Sequence, residues 1–326
     1  MKKYENIYHF FKEGRRVMIN MKGKSLLTLH ELTTEEVLQI LKAAESLKLR
    51  QQIGDPHPLL QGKTLGMIFQ KPSLRTRVSF ETGMTQLGGH AIYLGPADIS
   101  LGKRETTEDI ALVLSQFNDL IMARVFEHKI VEDLAKYALV PVINGLSDFT
   151  HPCQVLGDLL TIQEKKQHLN GLKLAFIGDG NNVANSLLFG GAKVGMHVTI
   201  ATPPGYEMAP EVFKLASEDA AKTGSILQTT LDPVEAVQDA DVIYTDVWAS
   251  MGQEEEAEER KKLFQAYQVD CDLLNNAKPD AIFMHCLPAH YGEEVTYDVA
   301  KDPRSVIYEQ AQNRMHAQKA VMVLVA

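Results

Sequence analysis

Short apolar runs of strand length alternate with helical segments along nearly all of the 326 residues, and this alternation constrains the fold more than any other feature. A strand that returns to its own sheet through a helix must run parallel to the first, so such a chain folds as parallel sheets with helices on their faces. The first series opens with Thr33-Thr34-Glu35-Glu36, a capping box ahead of Val37, Leu38, Leu41 and Ala44 at helical spacing. Strands are then expected at 63–69, 91–94, 120–124 and 140–143, with helices at 75–87, 108–117 and 130–137 between them. Gly88-Gly89 stops the first of these helices.

The pattern restarts after a helical stretch at 154–166. An apolar strand at 172–177 leads into a helix from about Val183, and further strands are expected at 198–201, 242–245 and 281–284. The run 310–324 reads as a terminal helix whose packing partner the sequence does not reveal. The expectation is an α/β protein of two domains, each a mainly parallel sheet flanked by helices, with a cleft between them. Residues 1–23 read as an N-terminal extension or as the product of an early start ahead of Met21. Residues 24–153 and 154–310 read as the two domains, and 311–326 as a C-terminal helix. The acidic run 254–259 reads as a solvated helix face.

Charge and composition exclude several classes. A formal charge of −9 leaves no global basic field for nucleic acid, so positive charge that meets an anion must be local. No stretch reaches the roughly 18 apolar residues of a membrane helix. Cys153, Cys271 and Cys286 are too few and too scattered for a disulfide framework or a CxxC metal clip, which points to a reducing, cytoplasmic setting. The basic, aromatic N-terminal stretch lacks the apolar core of a secretory signal, and Glu5 and Glu13 do not suit a transit peptide.

Ligands of open parallel sheets bind beyond the carboxyl ends of the strands, so the residues that follow each strand carry the functional information. After 63–69 comes Gln70-Lys71-Pro72-Ser73-Leu74-Arg75-Thr76-Arg77 at a helix start, where backbone N–H groups, hydroxyls and a guanidinium suit an anion. Taken alone it is equally a capped helix with solvated arginines. Arg124 ends the third strand; Asn144 and then His151-Pro152-Cys153-Gln154 follow the fourth. In the second series the strands run into Gly178-Asp179-Gly180-Asn181-Asn182, Asp246-Val247-Trp248-Ala249-Ser250-Met251-Gly252 and His285-Cys286-Leu287-Pro288.

These four motifs together resemble the aspartate and ornithine carbamoyltransferase family. Ser73 to Arg77 is similar to its SxRTR phosphate motif and His151 to Gln154 to its HPxQ motif. Asp246 to Gly252 resembles the DxxxSMG loop and His285 to Pro288 the HCLP motif, both of the ornithine branch. The likeness runs from about Lys24 to the C-terminus. It implies carbamoyl transfer from carbamoyl phosphate to the δ-amine of L-ornithine, giving citrulline and phosphate in arginine synthesis or breakdown, with no metal or organic cofactor. It also implies a homotrimer.

Residue by residue, the resemblance assigns Ser73, Arg75, Thr76 and Arg124 to the phosphate, with Arg314 nearby and Arg77 in a structural ion pair. Leu74 brings no hydroxyl, so only its backbone N–H can contribute. Arg124, His151 and Gln154 would surround the carbamoyl group, Cys286 would sit near the δ-amine and the carbamoyl nitrogen, Leu287 would belong to the carbamoyl-phosphate set, and Asn182, Asp246, Ser250 and Met251 would take ornithine. Ser100 stands where the family commonly donates a longer side chain to a neighbouring subunit. On the residues alone, Cys286 is as well a small apolar core residue. Direct transfer to an amine needs no covalent intermediate on the thiol.

Other readings are weaker. Gly178-Asp179-Gly180 resembles the start of a dinucleotide fingerprint, but its third glycine position is Val183, and the next strand ends Ala201-Thr202-Pro203 without an acid for a ribose. A related carbamoyltransferase for putrescine, aspartate or an N-acylated ornithine remains open, as does a member that binds without catalysing. His285 and Cys286 are adjacent, but no further ligands at zinc-site spacing accompany them.

Overall fold

The computed structural model describes residues 18–99, 105–249 and 256–326. Two separate parallel sheets account for the alternation. The first holds β1 (Thr64–Phe69), β2 (His90–Leu94), β3 (Leu120–Arg124) and β4 (Val142–Leu146) in the order β2-β1-β3-β4. The second holds β5 (Lys173–Ile177), β6 (His197–Ala201), β7 (Leu227–Thr230), β8 (Val242–Thr245) and β9 (Ile282–His285) in the order β7-β6-β5-β8-β9. All pairings are parallel.

In both sheets the chain moves outward from the first strand, then jumps back across it. That leaves a topological switch point between β1 and β3, and another between β5 and β8. Crevices open at such points because the flanking loops turn away to opposite faces. Both switch points border the same cavity.

Alternation along the strands divides the interior into three cores. In β5, Leu174 and Phe176 face a central core while Ala175 and Ile177 face an outer one. Ile68, Ile121 and Ala123 supply the outer core of the first sheet, whereas Leu65, Met67, Phe69 and Met122 join the central core. The central core therefore takes one face of each sheet, and it is continuous between the two halves.

Two helices build that continuity. Pro152–Lys166 leads from the first half into the second, and all of its residues from Pro152 to Ile162 are buried. The terminal helix Ile307–Val325 returns to the first half and packs on that helix, on Thr34–Gln52 and on Leu74–Gln86. The close approach depends on Gly157, where a Cβ would meet the Arg314 Cα and N at 2.9 Å. Lys48 ties the same junction together, donating to both Glu164 carboxylate oxygens at 2.8 Å and to Asn313 Oδ1 at 2.7 Å.

The expected elements appear with boundary shifts of a few residues. β4 starts at Val142 rather than 140 and runs on to Leu146, since Pro141 has no N–H for the ladder. Its register with β3 slips between Ala123 and Arg124, a bulge that falls beside a candidate site residue. β7 and the short helices Pro233–Val237, Cys271–Asn275 and Tyr297–Lys301 were not legible. β7 is a half-exposed edge strand without an apolar run, and its burial pattern shows no fully buried residue.

Candidate active site

Strand register brings the motifs together. Phe69 lies opposite Arg124, so the loop after β1 starts beside that arginine, and Gln70 N donates to Arg124 O at 2.9 Å. Thr245 lies opposite Ile177 on one side and His285 on the other. The next residues of those three strands are Gly178, Asp246 and Cys286, which must therefore meet at one level. All these loops open on one cavity of about 450 Å³ between the two halves.

The first half lines it with Ser73, Arg75, Thr76, Arg124, His151 and Gln154. The second half contributes Asn182, Asp246, Cys286 and Leu287, and the terminal helix contributes Arg314. Leu74 does not line the cavity: it begins the helix with its side chain 75% exposed, pointing away. Arg77 also lies outside it, donating to Glu81 at 2.9 Å one helical turn on and stacking 4.0 Å over the Tyr93 ring. Ser250, Met251 and Ser100 lie outside the described residues.

Positive charge is concentrated at one end of the cavity. Arg124 donates to Thr76 Oγ1 at 3.4 Å and Arg314 to the same oxygen at 3.1 Å. Ser73 caps the helix Leu74–Gln86 by accepting from Thr76 N at 3.4 Å. Burial, then the charges of Arg314 and Arg75, pull the Arg124 guanidinium down to about 10. It remains a cation at neutral pH. Among the described residues no carboxylate forms an ion pair with Arg75 or Arg314. Three guanidiniums, a hydroxyl and a helix N-terminus form a receptor for an anion of more than one charge.

His151 borders this cluster. Burial, then the charges of Arg314, Arg124 and Arg75, hold its pKa well below the ordinary value. Its ring is therefore neutral, and its Nδ1 is buried without a partner. A neutral imidazole there can hydrogen-bond a polar substrate atom without adding a fourth positive charge.

The opposite wall carries the negative charge. Asp246 accepts from Asn181 Nδ2 at 2.9 Å, from Val247 N at 2.8 Å and from Cys286 Sγ at 2.9 Å. Burial and then the Asp246 charge push the Cys286 thiol well above its ordinary value. Cys286 is thus a protonated thiol that donates to the carboxylate, not a thiolate nucleophile. Asn182 reaches across to the first half, donating to Ser147 O at 2.6 Å.

Leu287 shows how the two halves lock. Its backbone lies at φ 60, and its carbonyl accepts from Arg75 Nη2 at 2.7 Å. Its N–H donates to His285 Nδ1 at 2.8 Å, so that nitrogen is the unprotonated one. The other ring nitrogen of His285 lies 3.0 Å from Glu294 Oε1. His285 is therefore a scaffold residue. With Asp246 and Cys286 it brings three ligand-type atoms within 4.8 Å of one another, a grouping that the linear spacing conceals because Asp246 comes from another strand. Both imidazole nitrogens are already engaged in holding the loop.

Sequence reasoning missed Arg260. The acidic residues Glu256, Glu258 and Glu259 before it are exposed as expected, but Arg260 itself is buried. It donates to Asp179 at 2.8 Å, to Trp248 O at 2.9 Å and to Glu256 at 3.0 Å. It thereby joins the loop after β5 to the segment after β8. Position within a charged run gave no signal for this. Asn181 was quoted only as part of a polar strand end; it caps the helix Asn182–Val194 and holds Asp246.

Fold and cavity define a two-domain α/β enzyme whose cavity gathers guanidiniums on one side and a buried carboxylate on the other. Two family models divide the chain: the carbamoyl-phosphate-binding domain of aspartate/ornithine carbamoyltransferase matches residues 24–164, and the Asp/Orn-binding domain of the same family matches 170–325. The ornithine carbamoyltransferase of Thermococcus kodakarensis is 60% identical over 309 residues, 95% of this chain and 98% of that one. The anabolic ornithine carbamoyltransferase of Pyrococcus furiosus is 59% identical over the same shares. The solved structure of the Pyrococcus furiosus ornithine carbamoyltransferase superimposes with a TM-score of 0.93, covering 94% of this chain and 98% of that one. That of Gloeobacter violaceus, 44% identical, gives 0.84 over 94% and 99%. The chain belongs to the aspartate/ornithine carbamoyltransferase family.

The Asp246–Cys286 contact is directly testable. Removing the carboxylate charge in Asp246→Asn lowers the thiol pKa, so alkylation of Cys286 by iodoacetamide at fixed pH accelerates severalfold. Peptide mass mapping reads it against Cys271 as the internal control. An unchanged Cys286 rate would mean that Asp246 does not control the thiol.

Proposed function

We propose that the chain transfers the carbamoyl group of carbamoyl phosphate to the δ-amine of L-ornithine, releasing phosphate and L-citrulline. One observation carries the reading: the Arg75, Arg124 and Arg314 guanidiniums and the Asp246–Cys286 pair line a single cavity. A dianion needs the first set, and an amino acid that presents ammonium groups needs the second. Residues 24–153 take carbamoyl phosphate and residues 154–310 take ornithine, with the C-terminal helix 311–326 lending Arg314. The Pyrococcus furiosus relative's description as anabolic supports the synthetic direction.

Each residue acts on a defined part of the reaction. Arg75, Thr76, Arg124, Arg314 and the helix start at Ser73 neutralise the phosphate; Leu74 adds only its backbone N–H. Arg124 and His151 donate to the carbamoyl oxygen, where charge gathers as the carbon becomes tetrahedral. Gln154, Cys286 and the Leu287 carbonyl surround the carbamoyl nitrogen. Asp246, Asn182, Ser250 and Met251 hold the α-amino and α-carboxylate ends of ornithine. The neutral δ-amine attacks the carbamoyl carbon, the bond from that carbon to the phosphate oxygen breaks, and the second amine proton leaves with the departing phosphate, whose charge is already paired. Aspartate would bring a second carboxylate to the Asp246 wall, and putrescine would leave the carboxylate contacts unused, so both fit less well.

The amine must lose a proton first. Its pKa resembles that of Lys, roughly 10.4, so the neutral form costs about 4.6 kcal/mol at pH 7. Neighbouring guanidiniums lower that cost by repelling the ammonium. The protonated Cys286 thiol cannot accept the proton.

A homotrimer and a cytoplasmic location complete the proposal. Leu74 and Val78 lie exposed one turn apart on the helix that flanks β2, and β2 is an open edge strand. An apolar strip beside an unpaired edge supports association of copies there. No helix among the described residues is long and apolar enough to cross a membrane.

A citrulline assay with carbamoyl phosphate and a panel of ornithine, putrescine, aspartate and N-acetylornithine tests the activity, with ornithine expected to dominate by at least a hundredfold. Activity with another amine alone would overturn the substrate. In the same assay Arg124→Ala lowers turnover by about 10²–10³, the effect of losing one oxyanion donor, with the unfolding midpoint close to that of the parent. Near-parental turnover would remove Arg124 from the mechanism. Turnover of the parent rises from neutral to alkaline pH as the amine deprotonates, read under conditions where chemistry limits the rate. A flat profile there would contradict attack by the free amine.

A further inference from the structure

Behind Gln154 lies a carboxylate that the reaction does not touch. Asp158 sits one turn further along the helix Pro152–Lys166 and is fully buried. Its Oδ1 accepts from Gln154 Nε2 at 2.8 Å and from Gln310 Nε2 at 2.8 Å, and its Oδ2 accepts from the Tyr244 hydroxyl at 3.1 Å. Gln310 also donates to the Tyr244 hydroxyl at 3.0 Å and accepts from His285 N at 2.9 Å. The four side chains come from the connecting helix, β8 and the terminal helix, so their geometry is fixed by the central core.

The network dictates a polarity. A carboxylate oxygen carries no hydrogen and can only accept, so it selects the NH₂ end of the Gln154 amide. The carbonyl end, Oε1, is then left as the one polar atom of that side chain without a partner, and Gln154 lines the cavity. Burial first, offset by the three donors and Arg314, brings Asp158 up to about 7. A proton on it would sit on Oδ2, toward Tyr244, and Oδ1 would still accept from Gln154. The selection therefore holds in either state.

We propose that Asp158 is a positioning residue: it locks the Gln154 amide with its carbonyl toward the cavity, so that Gln154 accepts from the carbamoyl NH₂ and the carbamoyl group is held in one of its two possible orientations. The surrounding guanidiniums are all donors, so they attract the carbamoyl oxygen. A carbonyl acceptor on the Gln154 side fixes the nitrogen opposite them. With the amide reversed, two NH₂ groups would face each other, and the carbamoyl oxygen would turn away from Arg124. This inference rests on the carbamoyl-transfer reading; citrulline formation by the parent enzyme in the same assay tests that reading separately.

The test is a double-mutant cycle between Asp158→Ala and Gln154→Ala, read as kcat/KM for carbamoyl phosphate. Alanine removes the acceptor, and a water in its place can donate as well as accept, so the constraint on Gln154 is lost. Asp158→Ala is expected to reduce kcat/KM at least tenfold in the parent and less than twofold once Gln154 is alanine. Inhibition by inorganic phosphate, which meets the guanidiniums and not Gln154, stays within twofold in all four enzymes. Equal losses in both backgrounds, no loss in the parent, or a parallel weakening of phosphate inhibition would each overturn the proposal. If Asp158→Ala does not yield folded protein, the same cycle with Asp158→Ser gives the same readouts, since a hydroxyl and a water in the space of the carboxylate can each donate or accept and so select neither end of the Gln154 amide.

Discussion

Like charges packed into a buried cavity repel one another, and Arg75, Arg124 and Arg314 are held together in spite of that. The displacement of Arg124 down to about 10 corresponds to on the order of 3 kcal/mol disfavouring its charged form. The fold supplies the restraint. Arg124 ends a strand, Arg75 is anchored through its bond to the Leu287 carbonyl, and Arg314 rides on a helix pressed against Gly157. Burial is the larger part of that displacement and the neighbouring guanidiniums the smaller, so the cluster is a place where a negative charge is favoured.

The same constraint explains why the molecule has one central core rather than two independent ones. Guanidiniums from the first half must face an acid and a thiol from the second at fixed distances. Parallel register does this at each sheet, where Thr245 opposite His285 makes Asp246 and Cys286 neighbours. The connecting and terminal helices then hold one sheet to the other. Contacts such as Asn182 to Ser147 O and Arg75 to Leu287 O cross the cleft and set its width.

Much of this was legible in the sequence because strand ends carry chemistry. β3 and β8 appear with the expected bounds, and the residues after the strands at Phe69, Ile177, Thr245 and His285 all reach the cavity. Leu74 was legible as a position without a hydroxyl, and its side chain is exposed outside the cavity. What escaped depends on distance in sequence. Arg260 serves Asp179 from 81 residues away, and Asp158 meets Tyr244 from 86 and Gln310 from 152. No local pattern distinguishes a buried arginine in a charged run from a solvated one, or a helical Asp that faces the core from one that faces water. Such pairings follow only once the helices are placed.

The account stands on the two half-sites acting on one ligand. The most direct measurement is calorimetric titration with a single bisubstrate molecule that joins a phosphonate to the side-chain nitrogen of ornithine. The account predicts tight, one-to-one binding per chain that Arg75→Ala and Asp246→Ala each weaken by at least a hundredfold. Binding that survives either substitution unchanged would show that the guanidinium cluster and the acidic wall do not share a ligand, and would contradict it.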